Sequence, residues 1–396
     1  NVPNVVSAAE ITGSDAIHPG YGFLAENADF AEICKKCNIN FIGPTAEVID
    51  TMGNKSKARE TMQKAGVPVV PGSDGVLDGP DQAKELAKDI GYPVLLKASA
   101  GGGGMGIEEV DDLDKFKSVF RRIRNYSKRT FRDEGVLIEQ MIMDYNHLEV
   151  QILAEREGRE VVHFGTRNCS VQSTGRQKRV ELAPGFAPGQ LTYTFDAAKC
   201  LDDITEYSLK LAKEVRYDSV GTWEWIVTPD GKPFLMEVNT RIQVENGVSA
   251  VISRISGKDE VDLIAEQIRL GLGQPMGYSQ SDVKFEGMSL EYRIVAEDPS
   301  NKFTPWIGKI EKFGWKDADW LKMSTQVPTD EPYEIPTEYD PNLALAIIWA
   351  KDLEELKARG YEFLDNLVLE GVDVYGGSLK SNLDFLREKT EDILKF

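Results

Sequence analysis

Residues 221–248 read GTWEWIVTPDGKPFLMEVNTRIQVENGV. Asp230-Gly231, between two apolar and β-branched runs, predicts a β-hairpin with a two-residue turn. A turn centred there pairs positions whose numbers sum to 461, which sets Glu224 opposite Glu237. Directly opposed side chains have Cβ atoms roughly 4.5–5.5 Å apart, and like charges at that spacing repel. Two carboxylates so placed call for a cation between them. With the amide of Asn239 on the same strand face, the donor set suits a hard ion such as Mg²⁺, or Mn²⁺ in its place.

The pattern continues past the hairpin. Glu237, Asn239, Arg241, Gln243 and Glu245 alternate with Val238, Thr240, Ile242 and Val244. Period-two alternation puts the five polar groups on one side of an extended segment. Alternation alone also describes a solvated strand face, but a fixed order of acid, amide and guanidinium beside an apolar hairpin favours a site. An extended segment of that length spans roughly 26–30 Å, too long for one ligand group. The Glu237 end is therefore expected to hold metal and the Arg241–Glu245 end a second substrate, after a bend.

The whole chain limits the partners. Its 396 residues exceed one core and predict two or three lobes. The net charge of −19 argues against nucleic acid or an anionic membrane. An anionic substrate then needs a local basic cluster, which Arg176-Gln-Lys178-Arg179 supplies. The longest apolar run, Leu343–Ala350, falls far short of the ~20 residues of a membrane span and reads as a buried strand. The 4 cysteines imply a reducing compartment, the cytoplasm, without a disulfide framework. Because the chain opens at Asn1 without Met or a targeting pattern, it reads as truncated, and a lost presequence would allow an organellar matrix.

Taken in order, residues 1–48 read as βα units. Phe30, Ile33, Cys34 and Cys37 form one helix stripe, so core packing explains the Cys-x-x-Cys better than zinc or redox chemistry. The loop His18–Asn27 fits a ligand loop or a turn equally well. Lys55 opens a helix that runs to Gly66; a Lys in the first turn opposes the helix dipole and points to an anion nearby. Residues 71–82 form a linker. The strand Tyr92–Ala98 carries Lys97 and runs into Gly101, Gly102, Gly103 and Gly104, a glycine run that lets backbone N–H groups approach phosphate. Val136–Gln140 is a second strand carrying Glu139. Strands follow at 147–153, 161–164 and 167–170, then a helix at 198–217. Beyond the hairpin come a helix at 261–272 and the strand 289–299, where Arg293 shares a face with Glu291. The tail from Asp352 has helical periodicity. With only His18, His147 and His163, neither a zinc site nor a His-based triad is expected.

Several stretches in this order resemble one family across the whole chain. SAAEITGSDAIHPGYGFLAEN, FIGPTAEVIDTMGNK, AGVPVVPGSDG, GYPVLLKAS, GTWEW, MEVNTRIQVE, YRIVAEDP and GVDVYGGSLKSN are similar to the biotin carboxylase component of biotin-dependent carboxylases. The resemblance implies an α/β and α+β chain with the ATP-grasp fold. Residues 1–50 would be the remnant of a Rossmann-like N-terminal domain, 51–82 a connecting helix and linker, 83–142 a small lid, and 143–396 the large mixed C-terminal domain. It also implies a reaction: bicarbonate and MgATP give carboxyphosphate, and its CO₂ passes to biotin on a carrier protein. That would be the first half-reaction of an acyl-CoA or 2-oxoacid (for instance pyruvate) carboxylase. Lys55, Lys97 and the glycines would hold ATP phosphates, Glu139 the adenine, and His147 and Gln172 the ribose. Glu224, Glu237 and Asn239 would bind the metal, in agreement with the hairpin reading. Lys178, Arg241, Gln243 and Val244 would hold bicarbonate and Glu245 would deprotonate it. Arg293, with Tyr21, would hold the biotin ureido group. A carrier domain, a carboxyltransferase subunit and a second copy of the chain are the implied partners.

The chain departs from the family pattern at Met105, Gln140, Arg176, Asn246–Ala250 and Pro341–Ala346, and in an insert around 187–200. Two further readings fit those departures: a non-catalytic scaffold that binds nucleotide or carrier, and an ATP-grasp ligase with another acceptor.

Overall fold

The structure is a computed structural model that describes residues 1–100, 106–112, 114–174, 177–190, 193–257, 261–338 and 341–392. Gly101–Gly104, Met105 and Arg176 lie outside the described residues, as do Tyr339 and Asp340.

The N-terminal segment alternates helix and strand. Helices Val2–Thr12 and Ala28–Lys36 flank the parallel strands Ala16–Ile17 and Asn40–Phe41. Phe30 and Cys34 are fully buried as the stripe requires, but the helix ends at Lys36 and leaves Cys37 exposed. Ile33 is also exposed, so core packing explains only half of that stripe.

A small three-stranded unit follows. Its antiparallel sheet has the order Ile107–Val110, Val94–Ala98, Val136–Gln140, covered by helices Pro80–Ile90 and Phe116–Phe131. Pro at the first helical position fixes where the first of these helices starts, so the expected linker ends earlier, at Gly79. Leu77, Ala83, Ala87, Leu96, Phe120 and Ile138 share one apolar cluster.

The large sheet has eight strands: β1 (Asn146–Ala154), β2 (Val161–Gln172), β3 (Lys178–Ala183), β4 (Ser219–Val227), β5 (Pro233–Asn239), β6 (Met288–Val295), β7 (Leu321–Thr325) and β8 (Asn342–Ala350), in the order β5-β4-β1-β2-β3-β6-β8-β7. The two short strands expected at 161–170 are one, β2. Trp223, Trp225, Leu148 and Val150 pack under helix Ala197–Glu214, against Ile204 and Leu211. Leu290, Tyr292, Ala346 and Ile348 pack against Leu356 and Phe363 of helix Leu353–Asn366. The helical tail is interrupted by strand Val368–Val372 before helix Leu383–Asp392. In the insert, Tyr193 and Phe195 pack on Phe186, tilted and edge-on, at centroid distances of 4.5 and 5.5 Å.

His163 gives the fold a pH signature. Its Nδ1 accepts from the Gly165 N–H at 3.2 Å and its ring stacks on Phe285 at 5.8 Å. Both need only a neutral imidazole, and burial pulls the group down to about 4. The unfolded chain takes up this proton near pH 6.5, whereas the folded chain refuses it until about pH 4. Stability is therefore lost as pH falls through that window, by about 3 kcal/mol. Urea midpoints at pH 7 and pH 4.5 should converge in His163→Gln relative to the parent; an equal pH slope in both would refute this.

Candidate active site

The central hairpin reaches the expected pairing by an unexpected route. The turn is a three-residue loop closed between Thr228 and Lys232, with Gly231 at φ 80°, a position that favours glycine. This shifts the first rungs, Pro233–Val227 to Leu235–Trp225, by one residue. A bulge between Leu235 and Glu237 then restores the register, and Glu237 pairs with Glu224. Without the bulge, the side chains beyond it would point to the wrong face.

The row is wider than one pair. Glu224 is also opposite Glu149 of β1, and Glu149 is opposite Arg167 of β2. Glu237, Glu224, Glu149 and Arg167 thus stand side by side across four strands. The Arg167 guanidinium, fully buried, donates from Nε and Nη2 to Glu149 Oε2 at 3.0 and 2.8 Å, and from Nη1 to Gln151 Oε1 and Ser249 Oγ. Lys178 reaches three acids: it pairs closely with Glu149, and lies 2.7 Å from Glu245 Oε1 and 3.4 Å from Glu224 Oε1. A register shift on β2–β3 turns Lys178 toward them; strict alternation would have aimed it at the core with Val180 and Leu182. Arg293 Nη2 lies 2.7 Å from Glu245 Oε2 and 2.8 Å from Glu181 Oε1.

Among the described residues, the two cations of the expected basic cluster are paired with acids. Lys178 serves the acids just named, and Arg179 is buried in a bidentate pair with Glu297 at 2.7 and 2.6 Å.

Electrostatics separate the carboxylates. Burial pushes Glu237 up to about 7, reinforced by the facing Glu224 charge and opposed by Lys55 and Lys97. For Glu224 burial acts in the same direction, but Lys178 and His147 overcome it and hold the group well below the usual carboxylate range. Glu245 is likewise held low against its burial, by Lys178, Arg293 and Arg167. Of the facing pair Glu224 and Glu237, it is Glu237 whose charge is the less compensated. Asn239 Nδ2 donates to Glu224 Oε1 at 2.7 Å, so the three expected metal ligands meet at one place. Two facing carboxylates and an amide fit a hard divalent cation.

The strand ends at Asn239, earlier than the alternation implies. The chain bends through Thr240–Glu245 into helix Asn246–Ile252. The bend gathers the polar groups that an extended strand would spread out. Gln243 Nε2 donates to Glu224 Oε1 at 3.2 Å and Arg241 Nη1 to Gln243 Oε1 at 3.0 Å. Val244 is half-buried in the turn. The divergent stretch after Glu245 supports this arrangement: Asn246 Nδ2 donates to the Gln243 carbonyl at 2.8 Å, and Ser249 holds Arg167.

The loop 18–27 docks here through Glu26, which lies 3.1 Å from Arg241 Nε and accepts from the Thr240 N–H at 3.2 Å. Tyr21 of the same loop is 59 % exposed, outside the buried network. On the other side, His147 Nε2 lies 3.1 Å from Glu224 Oε2 and Gln172 Nε2 2.9 Å from His147 Nδ1.

Lys55 and the small sheet add positive charge. Lys55 opens helix Lys55–Lys64, capped by Asn54, and its N–H donates to the Ser99 carbonyl at 3.1 Å. Burial pulls the Lys55 ammonium below its usual value; Glu237 opposes that and Lys97 adds to it. Lys97 pairs closely with Glu139, which Arg59 also approaches at 3.6 Å. Two lysines thus converge on the Glu237 end of the row.

Sequence reasoning missed Glu149, Arg167, Glu181 and Glu26. Glu149 had a usable signal, because it alternates with His147 and Gln151 on a strand whose other face, Leu148, Val150 and Ile152, is apolar. The other three depend on long-range pairing.

A small antiparallel sheet carrying Lys97, together with an eight-stranded sheet on which Glu224 faces Glu237, is the architecture of an ATP-grasp enzyme. Family models agree along the chain: the biotin carboxylase N-terminal domain matches residues 1–49, the carbamoyl-phosphate synthase L chain ATP-binding domain 54–278, and the biotin carboxylase C-terminal domain 291–391. Biotin carboxylase 1 of Bacillus subtilis is 40% identical over 374 residues, 94% of this chain and 79% of that protein. The chloroplastic biotin carboxylase 1 of Populus trichocarpa is 41% identical over 371 residues, 94% and 67% of the two chains. The biotin carboxylase domain dimer of Hydrogenobacter thermophilus 2-oxoglutarate carboxylase, solved with MgADP and bicarbonate, superposes with a TM-score of 0.87 at 37% identity, covering 100% of this chain and 82% of that one. The chain belongs to the biotin carboxylase family.

Proposed function

We propose that this chain catalyses the ATP-dependent carboxylation of biotin carried by a partner domain. The observation that carries the proposal is the convergence of Asn239, Lys178, Glu245 and Arg293 in one largely buried network with Glu224, which Glu237 faces across the ladder. Glu224, Glu237 and Asn239 hold Mg²⁺, whose charge offsets that of the ATP phosphates. Lys55 and Lys97, with the glycine run, hold those phosphates. Glu139 lies at the adenine, and His147 and Gln172 at the ribose. Lys178, Arg241, Gln243 and the Val244 backbone hold bicarbonate.

Glu245 is the base, and its surroundings control when it acts. As it stands, Lys178 and Arg293 suppress its basicity. A bicarbonate anion entering between them draws both cations toward itself and releases the carboxylate to take the bicarbonate proton. The bicarbonate oxygen then attacks the γ-phosphorus and ADP leaves. The resulting carboxyphosphate splits into CO₂ and phosphate. The released phosphate takes the N1′ proton of biotin and N1′ forms the new bond to the CO₂ carbon, while Arg293 stabilises the charge that develops on the ureido oxygen. Tyr21 meets biotin from the solvent side.

A biotin carrier domain and a carboxyltransferase subunit complete the carboxylation of an acyl-CoA or 2-oxoacid. A homodimer is the assembly, as in the Hydrogenobacter domain. Among the described residues no helix is long and apolar enough to cross a membrane.

ADP release from MgATP and bicarbonate, with and without free biotin, tests the reading. Biotin-stimulated, bicarbonate-dependent turnover that Glu245→Ala abolishes is expected. ATP binding without turnover would instead favour the scaffold role.

A further inference from the structure

Beside the bicarbonate end of the site lies a second pair of facing carboxylates. Glu181 of β3 is directly opposite Glu291 of β6, and both are fully buried. Opposed Cβ atoms are roughly 4.5–5.5 Å apart. Among the described residues neither carboxyl receives a well-formed hydrogen bond. Arg293, two residues along β6, lies 2.8 Å from Glu181 Oε1 and 3.7 Å from Glu291 Oε1, while the same guanidinium serves Glu245. One cation is thus shared by three acids. The remaining charged groups around the pair are already engaged: Lys178 on β3 with Glu149, Glu224 and Glu245, Arg167 on β2 with Glu149, and Glu149 on β1 with both cations. On the far side of Glu291, β8 presents the apolar Ile347.

Two buried carboxylates at this spacing, with less than one full cation to share, do not both ionise. We propose that Glu181 and Glu291 act as a one-proton carboxyl pair that positions Arg293 for the biotin ureido group. Glu291 holds the proton and Glu181, ionised, anchors the guanidinium. This rests on the reading of Arg293 given under the proposed function. Burial also raises both groups, Glu181 to about 7 and Glu291 further, where the Glu181 charge adds to the effect.

The pair has a direction with pH. As pH rises and the proton is lost, a second buried negative charge repels Glu181 and Glu245 and pulls Arg293 from its place, so turnover falls on the alkaline side. In Glu291→Gln, which keeps the shape of the protonated acid and cannot ionise, that alkaline limb should move up by at least one pH unit. Glu291→Ala should lose activity at every pH. Glu181→Gln should raise the KM for free biotin at least tenfold while the KM for ATP changes less than twofold, a split that a general structural defect would not produce. Independently of turnover, the infrared spectrum of the parent at pH 8 should contain a protonated-carboxyl carbonyl band that Glu291→Gln lacks. An unmoved alkaline limb, equal changes in both KM values, or no such band would overturn the pair. If the parent itself lacks biotin-stimulated turnover, the proposed function fails, and the infrared band still decides the shared proton.

Discussion

Glu237→Gln should abolish bicarbonate-dependent ADP release while making the protein more stable. Glutamine keeps the size of the side chain and removes its charge, which faces Glu224 across the ladder. Burial and that facing charge hold the Glu237 carboxyl up at about 7. Because the folded-state value lies above the unfolded one, ionisation weakens the fold as pH rises from about 4.5 through 7. The variant escapes that loss, so its stability advantage should be absent at pH 4.5 and complete at pH 8. On the proposed function it also loses a carboxylate that would bind the metal. We expect turnover to fall by roughly 10²–10³-fold or more, the scale seen when one electrostatic stabiliser of a transition state is removed. The thermal shift that Mg²⁺ with ADP produces in the parent should shrink accordingly. A residue that gains stability and loses activity when neutralised is kept for function. Lower stability at pH 8 with turnover within threefold of the parent would show that Glu237 is structural.

Lys178→Met should act in the opposite sense. Lys178 is the shared partner of Glu149, Glu224 and Glu245. Methionine fills the space of the stem and leaves the carboxylates short of a cation. Removing one member of a buried ion pair typically costs about 3–5 kcal/mol, so a fall in Tm on the order of 10 °C is expected. The pH dependence should change as well. Glu245 is held below the usual carboxylate range, so in the parent it contributes stability that is present above about pH 4.5 and lost as pH falls below it. In the variant this contribution shrinks, and its stability should differ most from the parent at neutral pH and least near pH 3. Calorimetry across that range, without nucleotide, checks both points. An unchanged Tm at pH 7 would mean that the acids rearrange or take up protons at little cost.

Part of this site was legible in the residues themselves. The hairpin, the Glu224–Glu237 opposition, the polar alternation through Glu245 and the need for a bend all follow from short-range periodicity, because a strand turns its side chains with a fixed period of two. The order of the motifs along the chain carried the family. Even the correct opposition concealed an error, since the turn is one residue longer than expected and the bulge before Glu237 compensates for it.

Sequence alone, then, determined which residue types line the site and in what order, because hydrophobic period and turn chemistry are local properties. The tertiary structure alone decided which charges meet. Glu149 joins the row because β1 lies beside β4, some 70 residues away in the chain. Lys178 faces the acids because a register shift turns it from the core. Glu181 and Glu291 confront each other only because β3 and β6, separated by the whole hairpin and by helices Ala197–Glu214, Asn246–Ile252 and Leu263–Gly271, are neighbours. Coulomb energies depend on distance and burial rather than on separation along the chain, so the protonation and roles of these acids were set only when the sheet closed around them.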